Sequence, residues 1–161
     1  LVMGSRSGDL DPGALLHLLR QGVSPEQLDH QLNAGSGLRG LCGDNDLRRI
    51  VERAGGGDAA ALDALELYCY RIRKYIGAYT AALGRVDALV FSAGVGEHHP
   101  LVRERACAGL ENLGIRIDPI RNAATVGRAG PIHDEASPVQ VLVIPTREDL
   151  QIARAVRATL S

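Results

Sequence analysis

The sequence has no excess of positive charge and no apolar run long enough to cross a membrane. Its 161 residues include 18 Lys and Arg against 19 Asp and Glu, which leaves a formal net charge of -1. Nucleic acids and anionic membrane surfaces are bound mainly by an excess of basic side chains, because phosphate charges have to be neutralised. A membrane-spanning helix needs about 20 consecutive apolar residues. The composition therefore argues against a nucleic-acid partner and against a membrane partner.

Cysteine is scarce, and Cys42, Cys69 and Cys107 are odd in number and far apart. A small domain held together by disulfides has an even, closely spaced set, so we interpret these residues as reduced thiols in the cytoplasm. Paired-cysteine and HExxH metal motifs are missing, as is the GxxxxGK[ST] sequence of a P-loop. Lysine occurs only once, at Lys74, which we interpret as a bias of composition.

The remaining composition, with 45% hydrophobic and 23% charged residues, is typical of a globular protein. The length predicts one domain. Apolar runs at 86–91 and 139–144 predict strands that are buried on both faces. Six stretches combine a capping residue or a proline with helical apolar spacing. They begin near Pro12, Pro25, Asp46, Asp58, Pro100 and Glu148. Strands separated by helices indicate an α/β domain with a largely parallel sheet.

The first predicted strand runs into a glycine-containing loop within the stretch VDALVFSAGVGEHH, residues 86–99. Gly94 and Gly96 allow a sharp turn and the close approach of a ligand. A buried strand that ends in such a loop is a usual nucleotide site in an open α/β sheet, but packing alone also explains the glycines. The sequence GSGLRG at 35–40 matches GxGxxG, yet it follows a helix rather than a strand. We interpret it as a flexible loop.

Three polar positions have both a functional and an ordinary structural interpretation. Arg6, among small residues, could stabilise a transferring phosphoryl group or be a solvated loop arginine. Residues 46–48 open a helix, where they could bind an anion or simply cap the helix. Glu148 follows the second strand, where it could bind Mg²⁺ or favour the helix dipole. Asp9 and Asp11 could share a cation, although a helix cap explains Asp11 more simply.

Five segments together resemble the acetate kinase family. In chain order they are MGSRSGDLDP, GDNDLR, YRIRKYIGAY, VFSAGVGEH and VLVIPTRED. The resemblance covers essentially the whole chain and implies an α/β fold of the actin-like, acetate and sugar kinase (ribonuclease H-like) type with a helical insertion. It implies that residues 1–161 are the C-terminal nucleotide-binding and dimerisation domain. The family's N-terminal domain, with the catalytic aspartate, is then absent from this chain, and the fragment alone is expected to be inactive.

The resemblance also implies a function and a set of site residues. The family transfers the γ-phosphate of ATP to acetate, giving acetyl phosphate and ADP, with Mg²⁺ or Mn²⁺ as the metal, and the implied protein is a cytoplasmic homodimer. Arg6 matches the arginine that stabilises the transition state, and Glu148 matches the glutamate linked to the metal. Two segments match the nucleotide pocket. They are Asp46, Leu47 and Arg48, and the loop Gly94, Val95, Gly96, Glu97 and His98.

Two positions depart from the family pattern. Ser5 stands where the family usually has Thr, and His98 stands where it usually has Asn, so hydrogen bonds made by the Asn amide have to be made differently. Two alternatives to acetate kinase stay open. One is a propionate or butyrate kinase, which shares these motifs, and the other is a non-catalytic nucleotide-binding or dimerisation module.

Overall fold

The computed structural model describes residues 1–160, except for the side chain of Leu160. The chain divides into two compact units, although its length alone predicts one domain. The N-terminal unit is Leu1–Ala82, and the C-terminal unit begins at Leu83. Within the described residues, no helix combines the length and the apolar character that crossing a membrane requires.

Five helices make up the N-terminal unit. They are α1 (Pro12–Arg20), α2 (Pro25–Asn33), α3 (Gly37–Cys42), α4 (Leu47–Gly55) and α5 (Ala59–Leu83). The predicted starts are confirmed. Asp11 accepts a hydrogen bond from the N–H of Gly13 at 2.7 Å, and Ser24 and Gln27 form a reciprocal capping box. Such local caps satisfy N–H groups that the helix itself leaves unpaired, which is why sequence spacing alone located these helices.

Asp9 and Asp11 do not share a cation site in this unit. Asp11 is the cap of α1, whereas Asp9 pairs with Arg71 of α5. A hydrogen bond from Tyr75 lowers the pKa of Asp9, and the charge of Arg71 adds to the effect. The pair therefore attaches the segment before α1 to α5.

Residues 37–40 of the GSGLRG stretch are helical, so the prediction of a flexible loop is wrong for this part. Gly37, the first residue of α3, has a φ of +63°, and a Cβ there would collide with the carbonyl oxygen of Met3. The N–H of Leu38 donates to that same oxygen at 2.9 Å. Glycine is needed because only a residue without Cβ tolerates both the dihedral angle and the close approach. Gly37 therefore packs α3 against the segment that contains Arg6.

The core of the N-terminal unit lies on α4 and the first half of α5. Its fully buried residues are Ile50, Ala61, Ala64 and Leu65. Of the apolar residues along α5, Leu65 and Cys69 are buried, whereas Leu62 is 36% exposed and Tyr79 is 62% exposed. The second half of this helix therefore presents apolar side chains at the surface.

The C-terminal unit contains a three-stranded sheet. Its strands are β1 (Ala88–Phe91), β2 (Gly130–Pro131) and β3 (Gln140–Val143), in the order β1-β3-β2. β1 is parallel to β3, with Ala88 opposite Gln140, whereas β2 is antiparallel to β3. The sheet is therefore mixed rather than largely parallel. Ile117 and His133 form an isolated antiparallel bridge outside these strands.

The helices of this unit are α6 (Ala93–His98), α7 (Pro100–Cys107), α8 (Pro119–Ala124) and α9 (Glu148–Leu160), with a 3₁₀ turn at Glu111–Leu113.

The prediction that β1 is buried on both faces is wrong. Val90 is 46% exposed, because the strand alternates between exposed and half-buried residues. An unbroken apolar run does not by itself distinguish one buried face from two. The apolar face of α9 is also exposed, at 65% for Ile152.

Candidate functional site

Arg6 lies exposed on the loop before α1, and its guanidinium group is anchored at one end. Its Nε donates to Oδ1 of Asn33, the last residue of α2, at 3.2 Å. The amide of Asn33 is itself oriented, because its Nδ2 donates to the carboxylate of Asp29 at 2.8 Å. Among the described residues, no acceptor engages the two terminal amino groups of Arg6. The arrangement presents a fixed fork of N–H donors at the surface.

The main chain around Arg6 is fixed by α2 as well. The hydroxyl of Ser5 donates to the carbonyl of Asn33 at 3.1 Å, and the N–H of Ser7 donates to the carbonyl of Leu32 at 3.1 Å. Ser5 therefore performs this contact with the hydroxyl that a threonine would also offer. The substitution of Thr by Ser at this position keeps the anchor of the Arg6 loop.

Asp46 and Arg48 form a pair at the start of α4. Asp46 caps the helix by accepting from the N–H of Arg48 at 3.0 Å, and its carboxylate also accepts from Nε at 3.0 Å and from Nη2 at 2.6 Å. These hydrogen bonds lower the pKa of Asp46 to about 2. Leu47 points into the core, where it is buried. The ordinary cap is thus present, and it holds the exposed guanidinium of Arg48 in one orientation.

The structure brings the Arg6 loop and the Asp46–Arg48 segment together within the N-terminal unit. A Cβ at Gly4 would lie 3.3 Å from the carbonyl oxygen of Asn45, so the two main chains are in contact. The remaining predicted residues, Gly94–His98 and Glu148, belong to the C-terminal unit.

The predicted glycine loop after β1 is in fact the short helix α6. The chain turns sharply at Ala93, whose φ is +59° and which is the one non-glycine residue with a positive φ among those described. Gly94 is exposed, and a Cβ there would meet no atom within 4 Å. A Cβ at Gly96 would lie 3.1 Å from the carbonyl carbon of Phe91. The packing interpretation therefore applies to Gly96, whereas Gly94 is open to a ligand.

Glu97 is turned inward and is only 8% exposed. Its Oε1 accepts from the N–H of Thr146 at 2.9 Å and from the hydroxyl of Thr146 at 3.2 Å. The main-chain hydrogen bond is the chief reason that the pKa of Glu97 lies below its usual value. Thr146 stands two residues before Glu148. Glu97 therefore connects α6 to the turn that leads into α9.

His98 and Glu148 are both exposed. The imidazole of His98 lies against the turn at Gly127, where a Cβ would come within 2.8 Å of the ring. Glu148 opens α9 and is followed by Asp149. In the part of the chain that the structure describes, no group of three or more His, Cys, Asp or Glu residues could hold a metal ion.

Comparison with known proteins places this chain in one family. A sequence model of the Acetokinase family matches residues 1–154. The chain belongs to the acetokinase family. The acetate kinase of Syntrophobacter fumaroxidans is 50% identical over 161 residues, which make up 99% of this chain and 39% of that protein. The chain therefore spans about two fifths of the length of this relative.

Solved structures of the family confirm the α/β fold class that the resemblance implies. The acetate kinase of Porphyromonas gingivalis matches with a TM-score of 0.92 and 40% identity, over 100% of this chain and 41% of that one. A propionate kinase from Francisella tularensis matches with a TM-score of 0.88 and 36% identity, over 95% of this chain and 39% of that one.

The acetokinase resemblance implies a divalent metal, and the described residues suit a metal that is held by one carboxylate together with the substrate. Mg²⁺ is commonly bound by one or two carboxylates together with substrate phosphates and water. The exposed carboxylate of Glu148 suits that mode. The described residues do not suit a closed protein cage, since they offer no cluster of three ligands.

Sequence reasoning missed two residues that hold these segments in place, Asn33 and Arg103. Asn33 closes α2, and no spacing rule connects it with Arg6. Arg103 did leave a signal, because it shares a helical face with Ala106 and Cys107, both of which are buried. An arginine on the buried face of an amphipathic helix is rare unless its donors are satisfied.

Proposed function

We propose that this chain is the C-terminal, nucleotide-binding part of an acetate kinase. The full protein would transfer the γ-phosphoryl group of ATP to acetate and so form acetyl phosphate and ADP. The family match over residues 1–154 is the observation that carries the proposal, and the 50% identity to an acetate kinase supports it. Because the chain spans only 39% of that relative, we assign the activity to the full-length protein and expect none from residues 1–161 alone.

Arg6 is the proposed catalytic residue of this part. Its Nε is anchored to Asn33, and its two terminal amino groups are unengaged. The planar guanidinium group can therefore donate to two phosphoryl oxygens at once. Phosphoryl transfer depends mostly on positioning and on stabilising the charge of the group in transit. Acetate is already ionised at neutral pH, so it needs no strong general base to become a nucleophile.

Each of the two segments from the resemblance, one in each unit, is proposed to contact the nucleotide. In the first, Asp46 orients Arg48 toward solvent, and Leu47 contributes through its main chain because its side chain is buried. In the second, which is residues 94–98, Gly94 is open to the close approach of the nucleotide. The middle of α6 is formed by Val95, Gly96 and Glu97, and Glu97 attaches this helix to Thr146. His98 offers an exposed imidazole.

Glu148 is the proposed residue for Mg²⁺ or Mn²⁺, bound directly or through water. When bound, such a metal would neutralise part of the charge on the nucleotide phosphates. The carboxylate is exposed at the first turn of α9, which is consistent with binding a metal that arrives with the nucleotide.

The proposal includes a cytoplasmic homodimer. All three cysteines are buried as thiols, which agrees with a reducing compartment. Helix α5 exposes Tyr70 near its middle and Tyr79 in its second half, and a second copy of the chain would cover these rings. Light scattering on the full-length protein tests this part, and a monomer would contradict it.

The test of the function is an acyl phosphate assay on the full-length protein. ATP and Mg²⁺ are supplied with acetate, propionate or butyrate in parallel, and the product is trapped with hydroxylamine. We expect the highest kcat/KM with acetate. A higher value with propionate would favour the second candidate, which the propionate kinase match supports. Nucleotide binding without any acyl phosphate would contradict both and indicate a non-catalytic module.

A further inference from the structure

Arg103 of α7 is 0% exposed, and its guanidinium group makes five hydrogen bonds. Nε donates to Oδ1 of Asn122 at 2.8 Å. Nη1 donates to the carbonyls of Gly96 at 2.7 Å and Glu97 at 3.1 Å. Nη2 donates to the carbonyls of Asn122 at 2.8 Å and Thr125 at 2.6 Å. The number of bonds equals the number of N–H donors that the group possesses.

All five acceptors of Arg103 are neutral oxygens. Burial lowers the pKa of Arg103, because a charge withdrawn from water is disfavoured. An apolar side chain would fill the same volume without that cost. The arginine is therefore best explained by what its donors hold together, which is the end of α6 on one side and residues 122–125 on the other.

Helix α6 needs such external support. It has only six residues, and a helix of that length is not stable without tertiary contacts. Its last carbonyl groups have no N–H partner within the helix. Arg103 satisfies those of Gly96 and Glu97, and the N–H of Gly127 also donates to Glu97 at 3.0 Å. The opposite end of α6, at Gly94, is exposed and open.

We propose that Arg103 is a positioning residue of the nucleotide site. By capping the carbonyl end of α6, it holds Gly94 and His98 in the orientation in which they bind the nucleotide. This inference rests on the proposed function. Lysine cannot replace Arg103, because a single ammonium group cannot span acceptors on α6 and on residues 122–125 at the same time.

The test is Arg103→Lys in the full-length protein, with Arg116→Lys as the matched control, since Arg116 is an exposed arginine of the same unit. We expect the KM for ATP to rise about 10-fold or more, whereas kcat at saturating ATP changes less than about 3-fold. Hydrogen–deuterium exchange of residues 93–99 should accelerate, and that of α5 should not. The control should match the wild type in each measurement.

Several results would overturn the inference. Unchanged KM and unchanged exchange at 93–99 would do so, and so would a uniform acceleration of exchange along the whole chain, which indicates a general loss of stability. If Arg103→Lys does not fold, Asn122→Leu removes one acceptor of Arg103 and one hydrogen bond to Pro100, and we expect faster exchange at 93–99 from it. A wild-type protein without kinase activity would refute the proposed function, whereas the exchange measurement would still decide the role of Arg103.

Discussion

The N-terminal and C-terminal units hold their candidate functional groups in different ways. The N-terminal unit presents exposed side chains, Arg6 and Arg48, each oriented by a neighbour at the surface. The C-terminal unit presents a short helix, α6, whose orientation depends on two inward-facing side chains, Glu97 and Arg103. The first arrangement leaves charged donors available to a ligand. In the second arrangement the exposed main chain of α6 is the proposed binding surface, and the residues that support it are buried.

Because of this difference, substitutions in the two units are expected to have different effects. An exposed arginine with one anchoring hydrogen bond contributes little to folding, so its loss should change the chemistry and leave the stability unaltered. A buried residue that supports a helix contributes to both, so its loss should change nucleotide affinity together with local stability. Substitutions in the two units of the full-length protein should therefore differ in their effects on kinetics and on stability.

The largest effect is expected from Arg6→Ala. Loss of a cation that stabilises the transferring phosphoryl group should lower kcat about 10³-fold. The KM for ATP should hardly change, because the proposed role of Arg6 is in the transition state. The melting temperature should hardly change either, because Arg6 is exposed. Steady-state kinetics and calorimetry measure both quantities. Arg39→Ala, at an exposed arginine of α3, is the control, and a kcat for Arg6→Ala equal to that of this control would contradict the assignment.

The two glycines of α6 provide a matched pair within the C-terminal unit. Gly96→Ala should lower the stability by about 1–3 kcal/mol, because the new Cβ would press against Phe91. Gly94→Ala should leave stability unchanged or slightly higher, since its Cβ points into open space. If the nucleotide approaches Gly94, that variant should raise the KM for ATP about 10-fold. Equal KM values for Gly94→Ala and the wild type would argue against this position as a contact.

A smaller effect is expected from Asn33, which orients Arg6. Asn33→Ser removes the acceptor for Nε, so kcat should fall about 5- to 10-fold while the KM for ATP stays the same. Asp29→Asn leaves Asn33 and its acceptor for Arg6 in place and should retain most of the activity. If both variants lost activity to the same extent, the hydrogen bond to Arg6 would not be the reason.

The smallest effect concerns Glu97 and depends on pH. Its pKa lies below the usual value in the folded state, so its stabilising contribution is present above the usual glutamate pKa, about 4.3. The contribution is lost as the pH falls through the lowered pKa. Glu97→Gln should therefore melt at a lower temperature than the wild type at pH 7, and this difference in melting temperature should narrow only as the pH falls below about 4. A difference that stayed constant would mean that the charge of Glu97 does not contribute.

Local features of the fold were predictable from the sequence, and so was the family. The caps at Asp11, Ser24 and Asp46 act within a single helical turn, so their spacing along the chain is sufficient evidence for them. The candidate residues Arg6 and Glu148 were identified from short sequence motifs, which also span only a few residues. Both side chains are exposed in the structure, which agrees with a binding role. The roles themselves stay predictions.

The tertiary structure decided four features of the fold. They are the division into two units, the helix at Gly37, the exposed face of β1 and the support of α6. Glu97 meets Thr146 across 49 positions of sequence, and Arg103 meets Asn122 across 19. No periodicity or motif pairs residues so far apart, because their meeting depends on how strands and helices pack. The sequence by itself determined which groups are available for chemistry, and only the packing decided which of them are presented and which hold the others in place.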